Sequence, residues 1–186
     1  SMQQEASRRL RFSAKKTMMI AQQLYEGVEL GDEGPTGLIT YMRTDSTRLS
    51  NEAIDKVRDH ILSNYGKEYL PSAPRIFKKS KSAQDAHEAI RPTSIENSPE
   101  KVKKFLSHDQ FALYELIWNR FVACQMSPAI LDQTSVLIEG GIFLFKATGS
   151  IYKFRGFLQV FDDSISNSDK AKEDEDKELN NLLPQN

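Results

Sequence analysis

The alternation of apolar and polar positions divides the chain into a helical part followed by a β part. As far as about residue 126 the apolar side chains recur at helical spacing, and from Ile130 they alternate with a period of two. Helices are predicted at Gln3–Leu10, Ala14–Val28, Glu52–Asn64 and from Ser107 to about Met126. Strands are predicted at Gln133–Glu139, Ile142–Thr148 and Tyr152–Phe161. The chain is therefore predicted to be α+β and mainly helical.

The residues at the ends of these elements support the assignment. Ser13 and Ser50 are suited to cap the amino ends of their helices, and Ser107 with Gln110 fits a capping box. Gly140-Gly141 is typical of a tight hairpin turn between the first two strands. The polar segments between the apolar runs therefore contain the expected start and stop signals.

The helix predicted at Glu52–Asn64 has an ordinary amphipathic pattern. Its apolar face consists of Ala53, Ile54, Val57, Ile61 and Leu62. His60 lies among charged residues of this helix and is expected to be exposed and without a function. Cys124, close to the end of the last helix, is expected to be buried and inert.

The stretch from Gly37 to Ser46 changes from an apolar run to polar residues that cannot continue a buried strand. Alternate strand residues share a face, so Tyr41 and Arg43 are predicted to point the same way. A guanidinium can hold a phosphate by two parallel hydrogen bonds while the phenolic oxygen lies nearby. The alternative is a Tyr41 that only packs, followed by a turn into the next helix, and residue chemistry alone favours that alternative.

A second candidate region is Ala83–Arg91; if it is helical, Pro92 places the end of that helix at Arg91. In a helix, His87 and Arg91 would lie one turn apart on one face and could both donate to one phosphodiester. The alternative is a surface histidine and an arginine that pairs with Asp85 or Glu88. Without further information this alternative is the more common one.

Composition and charge exclude several classes of protein. The 186 residues are 39% hydrophobic and 27% charged, with no apolar run that could cross a membrane. A single cysteine excludes an internal disulfide and a cysteine-rich zinc site, which suits a reducing cytosol. The net charge of −1 includes an acidic segment at 162–181. Without that segment the chain carries 22 basic and 18 acidic side chains, a mildly cationic balance that permits nucleic-acid binding.

The hexapeptide from Tyr41 to Ser46 resembles the active-site signature of type IA DNA topoisomerases, specifically the bacterial topoisomerase I members. The likeness extends to Gln3–Gln23, to the heptapeptide His87–Thr93 and to Trp118–Pro128, and so to most of residues 3–130. This resemblance implies a helical domain bearing the tyrosine at residues 10–126. It also implies that residues 1–9 leave a β-rich arch and that residues 127–186 are an incomplete part of that arch. The polar, acidic composition of residues 162–181 separately predicts a mobile loop or linker.

The resemblance also implies a chemistry for the site. Tyr41 would attack a DNA phosphodiester and become linked to the 5′ phosphate, with Arg43 steadying the scissile phosphate. His87 would contact a neighbouring backbone phosphate. Arg91, Thr44 and Glu88 are weaker candidates for DNA contacts. After passage of another strand the free 3′ hydroxyl would reseal the break, so that negative supercoils are relaxed without ATP.

The resemblance sets expectations for cofactors and partners as well. The family's Mg²⁺ site lies in a domain that precedes this region, so no metal is expected to bind here and the isolated chain is expected to be inactive. The expected partners are DNA, single-stranded at the cleavage site, and the missing magnesium-binding and arch domains of the same protein. A monomeric, cytoplasmic, nucleoid-associated bacterial protein is expected.

Two other classes of function stay open from the residues alone. The chain could be a helical DNA-binding module in which Tyr41 has no chemical role. It could also be a phosphoryl-transfer domain similar to a tyrosine recombinase, which forms a 3′-phosphate link. Recombinases place several arginines around the tyrosine, whereas here Arg43 and Arg91 are the only close candidates.

Overall fold

The structure is a computed structural model that describes residues 1–31, 34–77 and 87–162. It is α+β, as predicted, and it divides into one compact unit at Ser1–Ser127 and a second that begins at Pro128. The helices of the first unit are α1 (Met2–Leu10), α2 (Ala14–Glu26), α3 (Asn51–Tyr65), α4 (Pro99–Val102) and α5 (His108–Ala123). Its short antiparallel pair is β1 (Val28–Glu29) with β2 (Pro35–Thr36). The second unit contains β3 (Ile130–Gly140) and β4 (Phe143–Phe154).

The predicted caps are confirmed. The hydroxyl of Ser13 accepts a hydrogen bond from the amide of Lys16 at the start of α2, and Ser50 does the same at the start of α3. Ser107 and Gln110 form the expected reciprocal capping box of α5. These bonds satisfy amide groups that have no partner within a helix, which is why each helix begins where it does.

The core of the first unit lies where α2 packs against α5. Leu24, Leu113 and Val122 are fully buried there, and each stabilises the fold by roughly 1.5–3 kcal/mol relative to an exposed side chain. Helix α3 adds the predicted face of Ala53, Ile54, Val57 and Ile61. The prediction for Leu62 was wrong, because its side chain is 47% exposed at the border of that face.

His60 also differs from the prediction of an exposed residue. Its ring is half-buried and lies 5.2 Å from the ring of Trp118 on α5, in an edge-on contact. The pattern of charged neighbours along α3 could not show this contact, because Trp118 comes from a distant part of the sequence. His60 is therefore part of the packing between α3 and α5.

The helical alternative for Ala83–Arg91 is not observed in the part of this region that the structure describes. Residues 83–86 lie outside the described residues, and residues 87–91 are not helical. The amide of Ala89 instead donates to the carbonyl of Arg48, and the amide of Arg91 donates to the hydroxyl of Thr40. Tertiary partners for the backbone therefore outweigh the helical pattern.

The second unit is described as far as Asp162, and in that part it is a single long hairpin. β3 and β4 pair antiparallel, and the two-residue turn is Gly141-Ile142, one residue beyond the predicted position. Gly141 has the positive φ of 63° that such a turn requires.

Two of the three predicted strands of this unit are one strand. Gly149 and Ser150 suggested a break, but they pair with Thr134 and Gln133 across the hairpin, so β4 runs without interruption to Phe154. The end of the third predicted strand was wrong, since Gly156–Gln159 forms a 3₁₀ turn. The acidic segment from residue 163 onward lies outside the described residues.

Candidate active site

The segment that carries Tyr41 is held against the carboxyl end of α2. The amide of Leu38 donates to the carbonyl of Leu24 at 2.7 Å. The next contact requires a glycine, because a Cβ added at Gly37 would lie 2.7 Å from the carbonyl oxygen of Tyr25. Since real Cβ atoms hardly ever approach a backbone oxygen so closely, Gly37 lets this segment lie directly on the end of α2.

The other side of the Tyr41 segment pairs with residues 87–93. Ile39 and Pro92 form an antiparallel bridge, and the amide of Thr40 donates to the carbonyl of Arg91 at 2.9 Å. The hydroxyl of Thr40 donates to the carbonyl of Ala89 at 2.8 Å and accepts from the amide of Arg91 at 3.0 Å. The predicted strand is thus an extended segment whose order depends on a sequence about 50 residues away.

These contacts leave Tyr41 at the surface, with two other rings close to its own. Tyr41 is 38% exposed. Its ring centroid is 5.5 Å from that of Tyr25, edge to face, and 5.5 Å from that of His87. Its phenol makes no hydrogen bond to another residue in the described part of the chain. The structure thus brings Tyr41 and His87 together, with Tyr41 exposed.

Arg43 lies on the exposed side of the same segment. Tyr41 and Arg43 are exposed, whereas Met42 between them is 97% buried, which agrees with the predicted alternation of faces. Among the described residues Arg43 forms no hydrogen bond or ion pair. A cation with that freedom can bind an anion without first giving up a partner.

Arg91 and Glu88 form an ion pair with each other. The Nε and Nη2 atoms of Arg91 donate to one carboxylate oxygen of Glu88 at 3.0 and 2.6 Å, and Nη1 donates to the carbonyl of Pro92. The Arg91 side chain is only 15% exposed. Arg91 and His87 therefore do not form the paired donors predicted for a helix. The ion pair instead stabilises the segment that carries His87.

Thr44 shapes the chain between the site and α3. Its hydroxyl accepts a hydrogen bond from the amide of Ser46, and the hydroxyl of Ser46 accepts one from the amide of Arg48. These two local bonds turn the chain toward the amino end of α3. With one hydrogen bond already accepted, Thr44 retains its own hydroxyl proton as a donor.

Tyr25 and Thr40 are site residues that the sequence did not indicate. Tyr25 lies in the last turn of α2, is 40% exposed and contacts Tyr41. Its position next to the last residue of α2 was only a weak indication that it belongs to the site. The sequence around Thr40 did not indicate its role, because that role depends on hydrogen bonds to the distant residues Ala89 and Arg91.

Within the described residues, neither the cysteine nor the carboxylates form a further reactive or metal-binding site. Burial raises the pKa of Cys124 to about 11, so its thiol is a poor nucleophile at neutral pH. Within residues 1–31, 34–77 and 87–162 no group of three His, Cys, Asp or Glu side chains could hold a metal ion. The described residues therefore do not fit a magnesium site. In the same ranges no helix has both the length and the apolar character that a membrane span requires.

The described residues thus form a helical unit with an exposed tyrosine and a second unit that contains a long β-hairpin. The chain is a member of the DNA topoisomerase family, since a family model described as DNA topoisomerase matches residues 1–184.

Similar proteins agree with this assignment. DNA topoisomerase 1 of Xylella fastidiosa (strain Temecula1) is 50% identical over 181 residues, which are 96% of this chain and 22% of that protein. DNA topoisomerase 1 of Rickettsia prowazekii is 52% identical over 187 residues, 99% of this chain and 23% of that protein.

A solved structure, full-length topoisomerase I from Thermotoga maritima, matches with a TM-score of 0.75 at 45% identity. The match covers 87% of this chain and 26% of the other. The chain thus spans less than a quarter of the length of the curated relatives cited here.

Proposed function

We propose that this chain is the tyrosine-bearing part of a type IA DNA topoisomerase, in which Tyr41 transiently breaks one DNA strand. The observation that carries this proposal is the exposure of Tyr41 beside His87, with Arg43 on the same open side of the segment. The whole protein would relax negatively supercoiled DNA without ATP. Its DNA substrate would be single-stranded at the cleavage site.

In the proposed reaction the Tyr41 oxygen attacks a phosphodiester phosphorus. A bond forms between that oxygen and the phosphorus, and the phenol gives up its proton. The bond between the phosphorus and the 3′ oxygen breaks, and that oxygen takes up one proton and leaves as a free 3′ hydroxyl. The product is a 5′-phosphotyrosine link. Because one phosphate ester replaces another, most of the bond energy is conserved, and the 3′ hydroxyl reseals the strand by the reverse reaction.

Arg43 and His87 would act on the phosphate groups. Arg43 would donate hydrogen bonds to the non-bridging oxygens of the scissile phosphate, where negative charge develops. His87, beside the Tyr41 ring, would donate to a neighbouring backbone phosphate. Arg91, Glu88 and Thr44 would support these contacts by holding the two segments that present Tyr41 and His87.

The rest of the protein would supply the metal and the remaining domains. Magnesium would be held by a domain outside this chain, as the resemblance to the type IA family implies. The partners of this chain would be that domain and the remainder of a β-rich arch that residues 127–186 begin. The isolated chain is therefore expected not to relax supercoiled plasmid in the presence of magnesium, and clear relaxation would contradict this.

The proposal is tested with the full-length protein and single-stranded oligonucleotides that are labelled at one end or the other. Mixing with magnesium and stopping with detergent should leave the fragment downstream of the break attached to protein, so only the 3′ label should be retained. Tyr41→Phe should lose the adduct completely. Retention of the 5′ label would indicate a 3′-phosphate link, as in a recombinase. An adduct that survives in Tyr41→Phe would show that Tyr41 is not the nucleophile, and would favour the alternative in which this chain is only a DNA-binding module.

A further inference from the structure

We propose that Tyr25 is a positioning residue that sets the direction of the Tyr41 phenol. This inference rests on the proposed function, in which the phenolic oxygen of Tyr41 must line up with a phosphorus atom. The observation is the edge-to-face contact of the two rings, with centroids 5.5 Å apart and planes inclined by 66°.

The place of Tyr25 in α2 is unusual for a residue that only packs. It lies in the last turn of the helix and is 40% exposed, whereas its neighbour Leu24 is fully buried. The ring of Tyr25 therefore contributes little to the core. Its clearest contact is with Tyr41, and edge-to-face pairs have a preferred geometry that goes beyond simple burial.

The backbone of the same helix turn fixes the segment that carries Tyr41. The carbonyl of Leu24 accepts from the amide of Leu38, and the carbonyl of Tyr25 lies where a side chain at Gly37 would be. The end of α2 thus holds the Tyr41 segment at the main chain while the Tyr25 ring contacts the Tyr41 ring directly. Two independent contacts from one helix turn restrict both the position and the rotation of the nucleophile.

The Tyr41 ring has two ring neighbours, Tyr25 and His87, each with its centroid 5.5 Å away. Removing the Tyr25 ring would open one side and let the phenol turn away from the phosphate. Misplacement of a reacting group by about 1 Å can cost about 100-fold in rate. Because DNA would still reach the site, the loss should appear in the chemical step and not in affinity.

The experiment compares Tyr25→Leu with Tyr25→Phe in the full-length protein. The first-order rate of adduct formation is measured at saturating single-stranded oligonucleotide. Tyr25→Leu should lower that rate by about 10-fold or more, and Tyr25→Phe, which keeps the ring, should restore it. Met19→Ala is the control, since Met19 is exposed on the same helix at 56%; it should leave the rate unchanged.

Two further measurements separate positioning from other roles. The dissociation constant for the oligonucleotide, measured by fluorescence anisotropy in a Tyr41→Phe background, should change by less than about 2-fold on Tyr25→Leu, because the ring contact involves no DNA. The melting temperature should not change. Weaker binding at an unchanged rate would overturn the proposal in favour of a DNA contact. Equal losses in Tyr25→Phe and Tyr25→Leu would overturn it in favour of the hydroxyl.

The result for the unsubstituted protein distinguishes this inference from the proposed function. If the protein forms no adduct at Tyr41, both fail. If it forms the adduct and Tyr25→Leu does so at the same rate, only the role of Tyr25 fails.

Discussion

Tyr114 and Tyr41 are tyrosines of the same helical unit in opposite kinds of environment. Tyr114 lies in α5, is fully buried, and its hydroxyl donates to the carbonyl of Asn97 at 2.6 Å. Burial raises the pKa of Tyr114 well above its ordinary value. Tyr41 lies on an extended segment at the surface, and its phenol has no hydrogen-bond partner among the described residues.

The difference shows how one residue type serves stability in one place and chemistry in another. The phenol of Tyr114 is kept neutral by burial, and its proton is donated to the carbonyl of Asn97. This side chain therefore stabilises the core and takes no part in chemistry. The ring of Tyr41 is held by Tyr25 and His87, while its oxygen is left for an incoming group. Substitutions around Tyr41 should therefore affect DNA cleavage, and substitutions around Tyr114 should affect folding.

Apart from the loss of the Tyr41 hydroxyl itself, the largest effect is expected at Arg43. Arg43→Ala in the full-length protein should lower the first-order rate of adduct formation by about 10²–10³-fold, because the charge on the phosphate oxygens loses its donor. Arg43→Lys should recover only part of this, since an ammonium cannot make two parallel bonds. Single-turnover cleavage of an oligonucleotide measures both. Arg11→Ala, an exposed arginine at the end of α1, is the control; an equal loss there would show that charge alone matters.

The next largest effect is expected at Thr40, which joins the two segments of the site. Thr40→Val removes a hydroxyl that serves both the carbonyl of Ala89 and the amide of Arg91. Leaving these two groups unpaired should lower the free energy of unfolding by about 1–3 kcal/mol, measured by urea denaturation. Thr40→Ser keeps the hydroxyl and should lose much less. Similar losses in both variants would show that the methyl group, and not the hydrogen bonds, holds the segments together.

A smaller effect on stability is expected at Tyr114. Tyr114→Phe leaves the carbonyl of Asn97 without its donor and should lower the free energy of unfolding by about 1 kcal/mol. Adduct formation by the folded full-length protein should stay the same. The matching change, Tyr41→Phe, should reverse both results. A Tyr114→Phe variant with normal stability and slow cleavage would contradict the contrast between the two tyrosines.

The smallest effect is a pH dependence at His60. Burial lowers the pKa of His60, and the Glu100 carboxylate opposes this in part. The unfolded chain therefore binds the His60 proton more tightly than the folded chain does. The contribution of His60 to the free energy of unfolding is fully present above about pH 6.5 and is lost as the pH falls toward the pKa of His60 in the folded state. Urea denaturation at pH 7.5 and 5.5 measures the loss. His60→Gln should reduce it, whereas His108→Gln, at a 96% exposed side chain, should not.

The sequence predicted the helices and their caps well, because those depend on local signals. Ser13, Ser50 and Ser107 each act within three residues of their own position, so their bonds could be predicted from the residues. The alternation of apolar and polar residues beyond Ile130 is also a local signal, and it predicted the hairpin. The turn of that hairpin lies one residue later than predicted.

The arrangement around Tyr41 could be predicted only in part. The alternation of Tyr41, Met42 and Arg43 followed from strand geometry, and the structure agrees with it. The extended form of residues 87–91 did not follow, because the partners of those amides are Thr40 and Arg48, about 40–50 residues earlier. The same reason applies to Tyr25, whose partner Tyr41 lies beyond the end of its helix.

The most direct test of the central claim is to locate the nucleotide on the protein. The covalent adduct of the full-length protein is digested with nuclease and trypsin, and the modified peptide is identified by mass spectrometry. Trypsin should release Thr17–Arg43, which contains Tyr25 and Tyr41, and fragmentation of this peptide tells the two tyrosines apart. The account predicts a nucleotide on Tyr41 alone. A nucleotide on Tyr25, or on any residue outside this peptide, would contradict it.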